Sequence, residues 1–322
     1  MELRQRTKRF GFFVILCAVL LRLTAEGIPQ KGFLWLMQHS VPIHTYSETG
    51  RNVRFSASSD GFLFHFRESP PPWLPEPELP SFSPEETRLI ELYNTSSKQP
   101  DLEALLLQPL NWALAAAEPT VLILHTHGTE SYTPGTEAYI ATSSYRTLDE
   151  HHNMLSIGDA VTKLLEEKGI GVIHDRTIYD YPSYNGSYTR ARAAISVHLE
   201  NNPSLCLVLD LHRDASGTVS RQLRTETTIN GESAAQLMLV MGTNHNRWEE
   251  NLSLALKFHT LLEKQSPGIM RPINLRPQRF NQDLSTGALL VEVGAAGNTR
   301  QEALLAAGKL AEAVIALAAG SR

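Results

Sequence analysis

The sequence predicts an α/β domain on a largely parallel twisted sheet with helices on both faces, preceded by an N-terminal membrane segment and a proline-rich linker. Three observations predict it. From Pro119 onward, short apolar runs alternate with segments of helical periodicity. The runs are continuous, as expected of strands buried on both faces. His and carboxylate groups sit where three of those runs end, which is where ligands collect in open α/β sheets.

The chain opens with Arg4, Arg6, Lys8 and Arg9, then an apolar run from Phe10 to Leu21 that continues through Arg22 to Leu23. A positive flank followed by an apolar stretch is an export signal. The run is short against the roughly 20 apolar residues of a spanning helix, but Arg22 can snorkel to the outer interface and extend it. Leu23-Thr24-Ala25 is a poor cleavage site, so a retained anchor over residues 1–25 is favoured over a cleaved signal. Either way the basic flank stays in the cytosol and the rest is exported, which places the protein at the cell membrane with its bulk on the extracytoplasmic side.

Residues 26–118 read as an extracytoplasmic linker region. Weak alternation at Val53, Phe55, Phe62, Phe64 and Phe66 suggests a hairpin within 50–66. Ser69 to Pro84 contains Pro70, Pro71, Pro72, Pro75, Pro77, Pro80 and Pro84. That density excludes regular structure and gives a semi-rigid spacer. Residues 85–117 are polar, then Leu/Ala-rich with helical tendency.

The remaining domain, residues 119–320, is read element by element. Val121–Leu124 is a buried strand. Apolar residues at helical spacing from Asn153 to Lys168 predict a helix closed by Gly169. Gly171–His174 is a strand, 191–199 a helix, Leu205–Leu211 a strand, Met238–Met241 a strand and 251–263 a helix. Leu289–Val293 is a fifth strand, and 300–319 a long Ala/Leu-rich final helix. Tyr184-Asn185-Gly186-Ser187-Tyr188 reads as a turn before a helix, favoured over the alternative that it lines a groove. No internal repeat is visible.

Composition limits the function classes. Apolar residues make up 42% of the 322, enough for a sizeable core. The net charge of −5 lacks the basic footprint of a nucleic-acid binder. Cys17 and Cys206 lie in apolar runs outside any metal-ligand spacing, so any metal is held by His and carboxylates. A G-x-S-x-G nucleophile, a P-loop and a dinucleotide-binding glycine pattern are all missing from the sequence.

The strand ends carry the chemistry. The first run leads into His125, His127 and Glu130; another into His212, Arg213 and Asp214; a third contains Glu292. A catalytic zinc site takes three His or carboxylate ligands and leaves one position open. His127 and Glu130 form an H-x-x-E pair, and His212 is the natural third ligand. Glu292 is then free to act as general base toward the attacking water and as acid to the leaving amine. Each residue alone has an ordinary explanation, since a His at a strand end is usually a surface or hydrogen-bonding group. A glutamate inside Leu289-Leu290-Val291-Glu292-Val293 is harder to explain that way, because burying a carboxylate is costly without a partner or a function.

Residues about 119–318 resemble the stage II sporulation protein P family. The resemblance is carried by LILHTHGTESY (122–132), HNMLSIGDAVTKLLEEKGIGVIHDRTIYDYPSYNGSYTRAR (152–192), DLHRDA (210–215) and LLVEVGAAGNT (289–299). It implies a zinc-dependent N-acetylmuramoyl-L-alanine amidase fold that cuts between muramic acid and the stem peptide of peptidoglycan, with endopeptidase activity on crosslinks also attributed to the family. It implies a role in forespore engulfment alongside the stage II sporulation proteins D and M. It places His127 and His212 in the family's two His motifs. Glu130 is the favoured third ligand and Glu150 the rival, because related amidases place a ligating Glu before the first long helix. His125 is then a ligand or an orienting group, Arg213 and Asp214 bind substrate or support His212, and Asn298 shapes the groove. A zinc carboxypeptidase and a non-catalytic wall-binding module are the competing readings.

Overall fold

The computed structural model describes residues 53–58, 61–66, 80–110, 112, 114, 118–134, 145–218 and 221–318. The expected anchor over 1–25 and most of the proline-rich spacer lie outside them. Among the described residues, no helix is long and apolar enough to cross a membrane. The chain divides into two units, Met1–Pro75 and Glu76–Arg322. In the first, strands β1 (Val53–Ser58) and β2 (Gly61–Phe66) pair antiparallel, from Val53 opposite Phe66 to Ser58 opposite Gly61. This is the hairpin that the alternation suggests.

The second unit is built on a seven-stranded sheet. Its strands are β3 (Leu92–Asn94), β4 (Pro119–Leu124), β5 (Gly171–His174), β6 (Leu207–Asp214), β11 (Leu237–Gly242), β12 (Ile273–Arg276) and β13 (Ala288–Ala295), in the spatial order β3-β12-β11-β13-β6-β4-β5. Four short strands form separate two-stranded ribbons between β6 and β11: β7 (Gly217–Thr218) with β8 (Arg221–Gln222), and β9 (Glu226–Ile229) with β10 (Glu232–Ala235). The helices are α1 (Leu102–Leu106), α2 (Met154–Glu166), α3 (Ser187–Asn201), α4 (Trp248–Gln265) and α5 (Arg300–Ala318).

Every run read as a strand is one, because side chains on both of its faces find apolar neighbours. On β4, Val121 and Ile123 join one core while Leu122 and Leu124 join another. Helix α2 starts where Asn153 accepts from the Leu155 amide at 3.0 Å. It ends at Glu166, and Gly169, with φ of +74°, makes the left-handed turn that follows.

Two features differ from expectation. The sheet consists of two parallel blocks joined antiparallel at β11 and β13, where Met238 faces Glu292. Only β4, β5, β6 and β13 therefore deliver their carboxyl ends to one rim. The chain enters β11 through the β9–β10 ribbon, with no crossover helix to reverse it, so β11 runs opposite to its neighbour. The helices are also unevenly shared. Helices α2, α4 and α5 pack on the face bearing Leu209, Leu239 and Val291, whereas α3 covers part of the other face through Ala191 and Ile195.

The folded unit also begins earlier than the boundary at 118/119. Strand β3 pairs parallel to β12, with Ile273 opposite Leu92. Leu105 and Leu106 of α1 are buried in the main core, and Ser253 Oγ donates to the Leu105 carbonyl at 2.7 Å. The segment is short of long apolar runs, so its place at the sheet edge leaves little trace in the sequence.

Gly287 marks the tightest approach beside the site-bearing strands. A Cβ there would lie 1.8 Å from the Cys206 carbonyl oxygen, so β6 and β13 would have to separate. Gly287→Ala is expected to lower unfolding free energy by about 3 kcal/mol, the upper end of overpacking costs, as read by urea denaturation.

Candidate functional site

The site forms where β4, β6 and β13 end side by side. Register places Glu292 opposite His212. The loop after β4 brings His127 and Glu130 to the same rim. Thr126, Thr129 and Arg146 all help to hold that loop. Thr126 donates to Asp210 through its amide at 2.8 Å and its hydroxyl at 2.6 Å. The Thr129 amide donates to Asp180 at 3.1 Å. Arg146 reaches Asp180 at 2.7 Å and Glu130 at 3.0 Å.

His212 lies between two carboxylates. Its Nδ1 is 3.6 Å from Glu130 Oε2, and its Nε2 is 3.0 Å from Asp210 Oδ1 without hydrogen-bond alignment. Burial alone would lower this imidazole, but Asp210 and Glu130 hold it well above its ordinary range. Burial would raise Glu130, but Arg213 and His212 more than offset this and keep it ionised. The ring of His127 stacks on Tyr184 at 4.4 Å and meets His212 edge-on at 5.2 Å. Burial pushes His127 down to about 4, so it is neutral at neutral pH and its lone pair is available.

Glu292 is half-buried, with Oε2 shut off from solvent and making no hydrogen bond. Burial pushes its carboxyl up to about 8, against the pull of His212. A carboxyl titrating near neutrality can both take and return a proton.

The remaining sequence-predicted residues have other surroundings. His125 points to the α2 face, where Nδ1 meets the Leu211 carbonyl at 3.0 Å and Nε2 meets His174 Nε2 at 2.9 Å. Glu150 is exposed and paired with Arg176. Arg213 is buried; it donates to the Ser131 carbonyl at 2.9 Å and lies 3.6 Å from Glu130. It therefore supports the loop carboxylate and does not reach outward to substrate. Asp214 pairs with Arg271 at 2.8 Å. Asn298 is fully buried, accepting from the Ala295 amide at 2.9 Å and donating to the Thr225 carbonyl at 2.8 Å, so it fastens the turn after β13 and lines no groove.

Sequence reasoning missed Asp210, Asp180 and Arg146, and it favoured a turn over a groove lining for Tyr184 and Tyr188. Asp210 carried a usable signal. It stands two residues before His212 in an apolar strand, on the same face, the same anomaly that marked Glu292. The tyrosines do flank a turn, with Gly186 at φ +80°, and that turn also lays Tyr184 and Tyr188 against His127.

His127, Glu130 and His212 offer two imidazoles and a carboxylate, a donor set suited to a divalent transition metal. The 3.6 Å between Glu130 Oε2 and His212 Nδ1 is near the roughly 3.4 Å edge of a tetrahedron with bonds of about 2.1 Å. His127 Nδ1 is buried without a partner. Among the described residues, no three His, Cys, Asp or Glu side chains already close around an ion position.

A sequence profile of the family described as Stage II sporulation protein P (SpoIIP) matches residues 77–315. Stage II sporulation protein P of Bacillus subtilis (strain 168) is 32% identical over 203 residues, which cover 60% of this chain and 49% of that protein. The match thus spans about half the length of the curated relative. Among solved structures, the catalytic domain of the N-acetylmuramoyl-L-alanine amidase CwlV from Bacillus(Paenibacillus) polymyxa var. colistinus is similar at 14% identity and TM-score 0.39, covering 63% of this chain and 95% of that one. The amidase AmiC2 of Nostoc punctiforme is similar at 16% identity and TM-score 0.35, covering 63% and 94%. The CwlD amidase from Clostridioides difficile, solved in complex with the GerS lipoprotein, is similar at 12% identity and TM-score 0.37, covering 61% and 94%.

Proposed function

The chain belongs to the stage II sporulation protein P family, and from that premise we propose that it is a zinc-dependent peptidoglycan hydrolase. It cuts the amide between N-acetylmuramic acid and the stem peptide, and also peptide crosslinks, during forespore engulfment. Its N-terminal segment holds it on the outer side of the membrane, where it works with the stage II sporulation proteins D and M. The observation that carries the chemical reading is the convergence of His127, Glu130 and His212 beside Glu292, a carboxyl raised to about 8.

His127, Glu130 and His212 would hold the zinc. When bound, zinc supplies a Lewis acid that polarises the scissile carbonyl and activates water. Glu292 takes the proton of the attacking water on its free Oε2 and returns it to the leaving amine. Arg213 and Arg146 keep Glu130 ionised and in place. Asp210, whose carboxylate lies 3.0 Å from Nε2 of His212, favours a proton on that nitrogen electrostatically and so favours the tautomer whose Nδ1 faces Glu130. Asp210→Asn is expected to weaken zinc affinity 10–100-fold by competition with a chelating dye, the usual effect of losing such a carboxylate partner.

The test is digestion of purified sacculi by the full chain, with metal analysis of the same preparation. The expected result is release of intact stem peptides, about one zinc per chain, and loss of activity with a chelator that zinc restores. Release of single terminal amino acids would assign a carboxypeptidase instead. Protein without zinc or products would be a wall-binding module.

A further inference from the structure

The sheet face that bears Glu292 also holds a cavity of about 400 Å³, lined from β13 across β11 and β12 to β3. Strand register arranges this face of the sheet in rows, which continue past the cavity to His212 and Asp210 on β6. Met238, Glu292 and His212 form one row; Tyr93, Asn274, Val240, Leu290 and Asp210 form the next. Arg276 lies one step farther along β12, opposite Gly242. The cavity therefore starts at the candidate site and runs away from it across the sheet.

Much of the floor is apolar, through Met238, Val240, Leu290 and Phe280. Two polar groups stand out. Asn274 Oδ1 is shielded from solvent and accepts no hydrogen bond, which is costly unless a ligand donates to it. Arg276 is exposed and, among the described residues, forms no ion pair. Its neighbour Arg271 is already neutralised by Asp214 at 2.8 Å. Glu292 and Arg276 are two strand spacings and four residues apart, about 17 Å. With the arginine's own length counted, an extended peptide of about three to four residues spans that gap.

We propose that this cavity is the subsite for the peptide side of the substrate, and that it selects an extended acidic peptide. Asn274 accepts a backbone N–H, and Arg276 pairs with a carboxylate three or four residues from the amide that is cut. A neutral sugar in the same place would leave Arg276 without a partner. The proposal rests on the hydrolase reading above for which end of the peptide lies at Glu292.

Binding to the full chain is read by calorimetry with two free tetrapeptides that contain no muramoyl amide. One carries its carboxylates, and the other has them amidated. The acidic peptide is expected to bind at least tenfold more tightly. Arg276→Glu removes that preference, Arg276→Lys retains most of it, and Asn274→Ala weakens both peptides alike. Equal binding of the two peptides, a preference that survives in Arg276→Glu, or no binding at millimolar peptide overturns the proposal. Sacculus digestion run in parallel separates it from the hydrolase reading. Intact peptide preference without digestion sinks only the hydrolase, and digestion without preference sinks only the subsite.

Discussion

Glu292→Gln is expected to lower kcat on sacculi by about 10²–10⁴-fold, the range for removing a positioned general acid–base, while zinc content stays at the wild-type level. The amide keeps the shape of the carboxylate and its place opposite His212, but it cannot take a proton. A second readout comes from stability. Burial raises the Glu292 carboxyl from an ordinary 4.5 to about 8, so between those values the native chain binds the proton more tightly than the unfolded chain does. By linkage, this contribution to stability is fully present below about pH 4.5 and is lost as pH rises toward 8. Urea midpoints of chelator-treated protein over that window should fall with pH more steeply for wild type than for Glu292→Gln. Parallel slopes would show that the carboxyl is not held protonated, and kcat within tenfold of wild type would remove Glu292 from the chemistry.

Arg213→Met is expected to destabilise the fold by about 3–5 kcal/mol, the usual cost of stripping a partner from a buried ion pair. Arg213 is buried, and its guanidinium serves Glu130, the Ser131 carbonyl at 2.9 Å and the Tyr145 carbonyl at 3.1 Å. Its backbone amide also donates to Glu130 Oε2 at 3.3 Å, so loop and strand are tied twice at one point. Methionine fills comparable volume but removes the guanidinium's hydrogen bonds to the two carbonyls and its charge beside Glu130. Arg213→Lys should recover part of the loss, because it restores charge without the planar fork. A urea midpoint for Arg213→Met close to wild type would mean that Arg146 alone is enough to hold Glu130.

The pattern of agreement with the sequence has a physical basis. Strands β4, β6, β11 and β13 are legible because nearly all their residues are buried, so each carries an apolar run that few polar residues interrupt, and the half-buried β5 shows through Val172 and Ile173. Strand β12 was invisible because Asn274 and Arg276 face the cavity and interrupt the run. Strand direction left no mark either, since a buried strand has the same composition in both orientations. At the site, His127, Glu130, His212 and Glu292 could be picked out because polar groups at the ends of apolar runs are conspicuous. His125 met the same criterion, yet the alternation of a strand leaving the sheet sends it to the opposite face, onto His174. Asp180 and Arg146 lie in polar loops, where one charged residue resembles any other.

The seating of residues 84–106 on the sheet bears on how the chain can be shortened. Strand β3 covers the outer edge of β12 through Ile273 and Leu275, with the Ile273 amide donating to the Glu91 carbonyl at 2.8 Å and the Thr95 amide to the Leu275 carbonyl at 2.9 Å. A chain that began at Pro119 would keep every candidate catalytic residue but would present β12 as a bare edge with unpaired backbone groups. Such an edge is a template for another chain to add to. It would also uncover Phe258, on which Trp112 packs edge-on at 6.4 Å, and leave Lys257 without the Leu105 carbonyl it now donates to at 3.2 Å. The segment that reads as a tether thus acts as a guard strand, and self-association, before any loss of chemistry, is the first fault its removal would produce.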